Sequence, residues 1–139
     1  MFTYEFPRPS VTADIVLFDL SGTHVLLIQR GNDPFKDCWA FPGGFFDMED
    51  YDIEQTAMRE LQEETGLTNI PLSLVCVASR KGRDPRGRTV TAVFSARIDP
   101  ADVSPQGADD AKEARWFPIS QLPPLAFDHS EILQKILNQ

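Results

Sequence analysis

The stretch GFFDMEDYDIEQTAMRELQEETGL, residues 44–67, decides the fold of this chain. Its second half carries an apolar residue every four positions, at Ile53, Ala57 and Leu61. Residues at this spacing lie on one face of an α-helix, where they pack against a core. The pattern therefore predicts a helix over residues 52–65, with one apolar stripe and one polar face.

Both ends of this helix carry boundary signals. Asp52 stands before the apolar stripe and Gln55 follows three residues later, a capping pair worth about 1 kcal/mol. Gly66 occupies the place where a helix C-terminus favours a left-handed residue. These signals predict where the helix begins and ends.

Strand-like segments lie on both sides of the helix. Apolar runs separated by turn residues predict strands, and Ser21-Gly22 predicts a turn that joins the first two into a hairpin. A break is predicted at Pro42-Gly43-Gly44. The predicted strands cover residues 11–20, 24–29, 72–79, 89–98 and 114–117, and a closing helix covers 128–137. Together they predict one layered α/β or α+β domain over residues 1–139.

Composition narrows the possible partners. A net charge of −8, from 21 acidic and 13 basic residues, disfavours broad nucleic-acid binding but allows one small anionic substrate. No segment approaches the roughly 20 apolar residues of a membrane span, and residues 1–10 lack the apolar run of a signal peptide. Cys38 and Cys76 have no disulfide or metal pattern around them. We expect a cytoplasmic protein that binds neither nucleic acid nor membrane.

Three carboxylates of the central helix can point to one place. At about 100° per residue, Glu60 and Glu64 lie about 40° apart, and Glu63 lies about 60° to the other side of Glu60. Carboxylates this close repel one another unless cations neutralise them, and Mg²⁺ prefers oxygen ligands. The alternative is a solvated acidic helix face, which is common. A strand and a Gly-Gly turn before the helix favour the metal site.

These residues resemble the signature of the Nudix hydrolase family, Gly-x5-Glu-x7-Arg-Glu-apolar-x-Glu-Glu-x-Gly-apolar. Gly44 matches the first glycine. The second half of the signature is matched without exception by Arg59, Glu60, Leu61, Glu63, Glu64, Gly66 and Leu67. A softer resemblance covers most of the chain, including residues 26–30 and 39–44. It implies a mixed β-sheet sandwiched between helices, with the motif as a loop–helix–loop.

The first half of the signature departs from the family pattern. Gly44 and Arg59 are fifteen positions apart, where the family spacing is fourteen. One residue is therefore inserted before the helix, and Glu49 and Asp50 compete for the place of the family's early glutamate. The resemblance implies that this early residue braces Arg59, so the insertion bears little on the helix glutamates.

The resemblance also implies the chemistry: hydrolysis of the pyrophosphate of a nucleoside diphosphate linked to another group, with Mg²⁺ or, in its place, Mn²⁺. Metal ions cancel the charge that protects a pyrophosphate from attack and polarise a water. The implied metal site consists of Gly44, Glu60, Glu63 and Glu64, positioned by Arg59. Glu63 or Glu64 is expected to orient or deprotonate the water. A carboxylate of a later loop is the alternative, with candidates Asp109, Asp110 and Glu113.

Arg83, Arg86 and Arg88 form an arginine cluster on the loop before residue 89 of this acidic protein, which we call the arginine loop. Its planar guanidinium forks suit phosphate oxygens, and the alternative is a solvated hairpin turn shaped by Asp84-Pro85. Substrate contacts are predicted from Arg30, Arg83, Arg86, Arg88 and His129. For His129, part of a helix cap is the alternative. Candidates for stacking on an adenine are Phe35, Phe45, Phe46 and Phe127.

The arginine loop and residues 122–129 resemble Nudix proteins of the ADP-ribose pyrophosphatase type, which implies AMP and ribose 5-phosphate as products. Hydrolysis of a nucleoside triphosphate or damaged nucleotide is one alternative. The other is a non-catalytic ADP-ribose sensor, as in certain transcriptional regulators whose DNA-binding extension we do not expect within residues 1–139. Relatives are often homodimers, so a homodimer is the expected assembly.

Overall fold

The structure, a computed structural model, describes residues 3–103 and 111–139. Its strands form one mixed sheet, with one helix after β4 and another at the end of the described chain. The elements are β1 (Ser10–Asp19), β2 (His24–Arg30), β3 (Trp39–Ala40), β4 (Gly43–Phe45), α1 (Ile53–Thr65), β5 (Ser73–Ala78), β6 (Thr89–Ile98), β7 (Ala111–Pro118) and α2 (His129–Leu137). Short 3-10 turns lie at Pro100–Asp102 and Ile119–Gln121.

Strand β1 is buried from Ala13 to Phe18 because both faces of the sheet are covered there. Alternate side chains of a strand point to opposite faces. Ile15 and Leu17 pack with Leu61 of α1 in one core cluster, while Val16 and Phe18 pack in a second cluster that includes residues of α2. The predicted sheet sandwiched between helices is therefore confirmed.

Strands β1 and β2 are paired at one end and separate at the other, towards the start of β1 and the end of β2. These strands pair near Phe18 and Val25, which confirms the predicted hairpin. Towards its start β1 pairs instead with β4, and towards its end β2 pairs with β3. On its other side β1 pairs in parallel with β6 along its whole length. The chain from β3 to β4 thus lies where β1 and β2 diverge.

Helix α1 follows its predicted boundaries. The Asp52 carboxylate accepts the backbone N–H of Gln55 at 2.8 Å, and Gly66 ends the helix in the left-handed region at φ 77°. Ala57 and Leu61 are fully buried in the core. Local periodicity and caps therefore determine where this helix begins and ends. Packing of its apolar face against the sheet determines which way its polar face points.

The predicted break at Pro42-Gly43-Gly44 is present at Pro42, between β3 and β4, but not at the glycines, because Gly43 and Gly44 begin β4 and pair with Asp14 and Ala13 of β1. Backbone pairing with β1 outweighs the low strand propensity of glycine. A side chain at either position would collide with its surroundings. Within the described residues, none of the helices is long and apolar enough to cross a membrane.

Candidate active site

A cavity of about 420 Å³ opens where β1 and β2 diverge, above the polar face of α1. Its volume lies within the range of small-molecule sites. One end is acidic and the other carries arginine and aromatic side chains. The acidic part of the lining consists of Asp14, Glu60, Glu63 and Glu64, and the other part consists of Arg30, Arg83, Arg86, Phe45 and Phe127. His129 lies beside Asp14, between the two parts.

Glu64 is the most buried of the helix glutamates, with 6% of its surface exposed. It accepts the backbone N–H of Gly43, while its Oε2 has no hydrogen-bond partner among the described residues. Burial, then the charges of Glu60 and Asp14, raise the pKa of Glu64 well above its ordinary value. An unpartnered buried carboxylate oxygen is costly unless a cation reaches it.

Glu60 lies against β4. The Cβ of an alanine at position 44 would lie 2.4 Å from Glu60 Oε1, so a side chain there would displace the Glu60 carboxylate. Burial, and then the charge of Glu63, raise the pKa of Glu60 to about 7, although Arg59 opposes the shift. Glu63 has 48% of its side chain exposed and lies 3.8 Å from Arg59 Nη1. The three carboxylates thus share one end of the cavity but differ in burial.

Arg59 braces this end of the cavity through Asp50. Its Nε and Nη2 donate to the two carboxylate oxygens of Asp50, its Nη1 donates to Glu60 at 2.7 Å, and its Nη2 also reaches the carbonyl oxygen of Phe45. The hydrogen bond from Arg59 holds the pKa of Asp50 well below its usual range. Of the two residues that compete for this place, the structure selects Asp50, and Glu49 is exposed.

The donor chemistry of these residues fits a divalent cation. Within residues 3–103 and 111–139, no three His, Cys, Asp or Glu side chains lie close enough together to hold a metal ion as they stand. Arg59 binds Glu60, and Glu63 is half-exposed. Neighbouring carboxylates repel one another when no cation lies between them. The fit to a cation therefore rests on the unpartnered oxygen of Glu64 and on the oxygen donors beside it.

Asp14 is a cavity residue that the sequence analysis missed. It accepts a hydrogen bond from Thr91 Oγ1 at 2.7 Å and lies 3.7 Å from His129 Nε2. The available signal was an ionisable residue inside the buried strand β1, where a charge is costly without a partner. The charge of Asp14 acts to raise the pKa of Glu64 on one side and that of His129 on the other.

His129 is buried in the cavity wall and stacks on the ring of Phe41 at 4.5 Å between centroids. Its Nδ1 accepts the backbone N–H of Phe41, so the neutral ring carries its proton on Nε2, facing Asp14. Burial lowers the pKa of His129. The alternative of a helix cap is wrong, because Asp128 occupies the cap position and makes no side-chain cap hydrogen bond.

Arg83 has a different partner from the one predicted. Its Nε and Nη2 donate to Asp128 at 2.9 and 2.7 Å, and both side chains are almost completely buried. Because Asp128 occupies the guanidinium fork of Arg83, this arginine stabilises the fold. Its predicted role as a direct phosphate ligand is wrong. The alternative of a solvated arginine is equally wrong for this residue. The pair ties the arginine loop to the start of α2.

The other two arginines of the loop differ in position, because Arg86 lines the cavity and Arg88 does not. Arg86 lines the cavity and donates from Nε and Nη2 to the buried carboxylate of Asp84. Burial raises the pKa of Asp84, but hydrogen bonds from Arg86 outweigh it and lower the pKa. Arg88 is exposed and does not line the cavity, which corrects its prediction as a substrate ligand. Arg30 lines the cavity, and its Nε donates to the carbonyl oxygen of Pro34.

The candidates for a water-activating residue on a later loop are not brought to the cavity. Glu113 forms a surface ion pair with Arg115 at 2.8 Å and does not line the cavity. Asp109 and Asp110 lie outside the described residues. Among the described residues, the carboxylates at the acidic end are Asp14 and the helix glutamates.

The chain belongs to the NUDIX family: the family's domain model matches residues 8–136. The predicted class, a pyrophosphohydrolase, is confirmed with it. The chain is 40% identical over 127 residues to an ADP-ribose pyrophosphatase of Methanocaldococcus jannaschii, covering 91% of this chain and 72% of the relative.

Two further relatives bear on the ligand. An ADPR responsive transcriptional repressor, NtrR, of Acinetobacter baylyi is 37% identical, and the match covers 94% of this chain and 54% of the repressor. The NUDIX domain of Shewanella oneidensis NrtR, solved in complex with ADP ribose, superimposes with a TM-score of 0.87 at 33% identity, covering 96% of this chain and 89% of that domain.

Proposed function

We propose that this protein hydrolyses ADP-ribose to AMP and ribose 5-phosphate with a bound divalent cation, Mg²⁺ or in its place Mn²⁺. The observation that carries the proposal is the unpartnered, buried Oε2 of Glu64, which lies with Glu60 and Glu63 at one end of a cavity of about 420 Å³. Its relatives that cleave or bind ADP-ribose support the choice of substrate. Divalent metals are the usual cofactors of the NUDIX family.

The residues of the cavity have different roles in the proposed reaction. Glu60, Glu63 and Glu64 would hold the cation, which would offset the charge of the pyrophosphate and polarise a water. Arg59 keeps Glu60 in place through its bond to Asp50. In the reaction a water oxygen bonds to one phosphorus, the bridging P–O bond breaks, and a carboxylate takes the water proton. Glu63 and Glu64 are our candidates for that carboxylate.

The test is release of AMP from ADP-ribose with Mg²⁺ or Mn²⁺, beside NADH, sugar nucleotides, dinucleoside polyphosphates and nucleoside triphosphates. Glu64→Gln removes the charge and is expected to lower kcat/KM at least about 100-fold. Glu54→Gln is the matched control, because Glu54 is exposed on the first turn of the same helix. Full activity of Glu64→Gln, or turnover of triphosphates alone, would overturn the proposal.

A sensor that binds ADP-ribose without cleaving it is the second candidate. The likeness to a repressor that responds to ADP-ribose favours it. The complete set of helix glutamates favours catalysis, because a sensor does not need every metal ligand. Binding of ADP-ribose by calorimetry, with no AMP released in the presence of Mg²⁺ or Mn²⁺, would decide for the sensor.

Three further expectations remain part of the proposal: a cytoplasmic protein, a homodimer, and no binding to nucleic acid. The net charge of −8 supports the last of these. Sedimentation would measure the assembly. A mobility-shift experiment with duplex DNA would test the last expectation, since one of the relatives is a transcriptional repressor.

A further inference from the structure

Phe127 of the cavity wall and its neighbour Phe35 have a backbone conformation that bulky side chains rarely adopt. Phe127 has φ 53° and Phe35 has φ 61°, both in the left-handed region. Their rings meet edge to face with centroids 5.0 Å apart. Strain of this kind costs about 1–3 kcal/mol per residue and persists where the surrounding structure imposes it, often at ligand sites.

The structure around Phe127 imposes that conformation. On one side, Ala126 donates its backbone N–H to the carbonyl of Trp39 at 2.8 Å, which ties the loop to β3. On the other side, the Asp128 carboxylate is fixed by the buried Arg83. The chain between these two anchors turns the Phe127 ring into the cavity wall.

Two arginines lie over this ring. The guanidinium carbon of Arg30 is 4.9 Å and that of Arg86 is 5.6 Å from the centroid of Phe127. Arg86 also lies 5.3 Å from the centroid of Phe45, so it stands between two aromatic rings of the cavity wall. Guanidinium groups and aromatic rings thus lie close together in this part of the cavity wall.

The hydrogen bonds of these arginines argue against a role as phosphate clamps. A clamp presents the fork of the guanidinium to the anion. Arg86 directs Nε and Nη2 to Asp84, and Arg30 directs Nε to the carbonyl of Pro34. The fork of Arg86 is thus engaged by Asp84 and the Nε of Arg30 by Pro34, and both guanidiniums lie over aromatic rings of the cavity wall. The flat faces of guanidiniums also stack on bases.

We propose that Phe127, with Arg30 and Arg86, forms the seat of the adenine ring, and that these arginines bind the base rather than phosphate. The acidic end with its cation takes the pyrophosphate, and the aromatic end takes the planar group of the same substrate. Phe45 forms the opposite side of the seat, and Phe35 supports Phe127 from behind. This inference rests on the proposed function, since it names the base-recognition part of that site.

AMP and ribose 5-phosphate are a matched pair of probes because they differ only by the base. Their dissociation constants are measured with wild-type protein and with Phe127→Leu, which keeps apolar bulk but removes the ring. The variant is expected to weaken AMP binding roughly 5- to 100-fold, the range of base stacking, and to leave ribose 5-phosphate within about twofold. Phe46→Leu is the control, since Phe46 lies on the neighbouring segment outside the cavity wall and should change neither.

A second measurement needs no variant and covers the case in which Phe127→Leu does not fold. On binding to the wild-type protein, the adenine H2 and H8 proton resonances of AMP should move upfield, because they enter the ring current of an aromatic neighbour. Absence of that shift, or equal weakening of both probes in Phe127→Leu, would overturn the adenine seat. If AMP shows the upfield shift but the protein does not cleave ADP-ribose, the proposed reaction is rejected and the adenine seat stands.

Discussion

Arg59 and Asp50 pair fork to fork, with Nε 3.0 Å from Oδ1 and Nη2 2.9 Å from Oδ2. Asp50 stands six positions after Gly44, where the family has its early glutamate, so the inserted residue lies between Asp50 and Arg59. Thr56 donates a further hydrogen bond to Asp50 at 2.8 Å, which fixes the carboxylate from the helix side. A shorter side chain in a loop one residue longer therefore performs the bracing expected of the family's early glutamate.

Asp50→Asn is expected to lower kcat/KM for ADP-ribose about 10- to 100-fold, the usual effect of losing a residue that orients metal ligands. The amide cannot accept both hydrogen bonds of Arg59, so Glu60 loses its fixed neighbour. Glu49→Gln is the matched control, since Glu49 is exposed, and should stay within about twofold. Steady-state kinetics at saturating metal measure both. An equal loss in both variants would show that Asp50 has no special place.

The buried pair of Arg83 and Asp128 yields a prediction about stability. Arg83→Gln leaves the Asp128 carboxylate buried without its partner, which costs about 3–5 kcal/mol in the free energy of unfolding. Arg88→Gln, on the same loop but exposed, should cost less than about 0.5 kcal/mol. Chemical denaturation measures both. The double replacement of Arg83→Met with Asp128→Leu should recover most of the loss, and similar values for the two single variants would refute the assignment.

The sequence predicted what is set locally and missed what depends on distant partners. The helix with Glu60 and Glu64 follows from a repeat and caps within a single segment. Arg83 and Arg88 look alike in the sequence, yet only Arg83 finds a carboxylate, 45 residues further along the chain. Asp14 was missed for the same reason, because its neighbours in space come from other strands and from α2.

The two glycines of β4 should respond differently to a methyl group. At position 44 an alanine Cβ would meet the end of the Glu60 side chain, which can move aside. At position 43 it would lie 2.3 Å from the backbone oxygen of Ala13, which cannot. Gly44→Ala should therefore remain folded and lose metal affinity about 10- to 100-fold. Gly43→Ala should lose about 1–3 kcal/mol of stability.

Thermal unfolding and Mn²⁺ titration of these two variants separate the effects. A melting temperature of Gly44→Ala near that of the wild type, with weakened Mn²⁺ binding, would support the placement of Glu60 at the metal site. Unchanged Mn²⁺ affinity in Gly44→Ala would mean that the Glu60 carboxylate is not needed where it stands.

Protons and metal ions should compete at the acidic end, which gives the site a pH dependence of known sign. Burial and then the charge of Glu63 raise the pKa of Glu60 from its ordinary value of 4.5 to about 7. Between these values the folded protein holds a proton that the unfolded chain has released. Without metal, this proton stabilises the fold at low pH, and the contribution is lost as the pH rises through about 7.

A bound cation must displace that proton. Its apparent affinity should therefore fall about tenfold for each pH unit below 7 per proton displaced, and more steeply where Glu64 is protonated as well. The measurement is the rise in melting temperature caused by Mg²⁺ or Mn²⁺ at pH values from about 5.5 to 8. The rise should grow with pH in the wild type and much less in Glu60→Gln, which has no proton to lose at that position. If the two proteins had the same pH dependence, Glu60 would not be the group in competition with the metal.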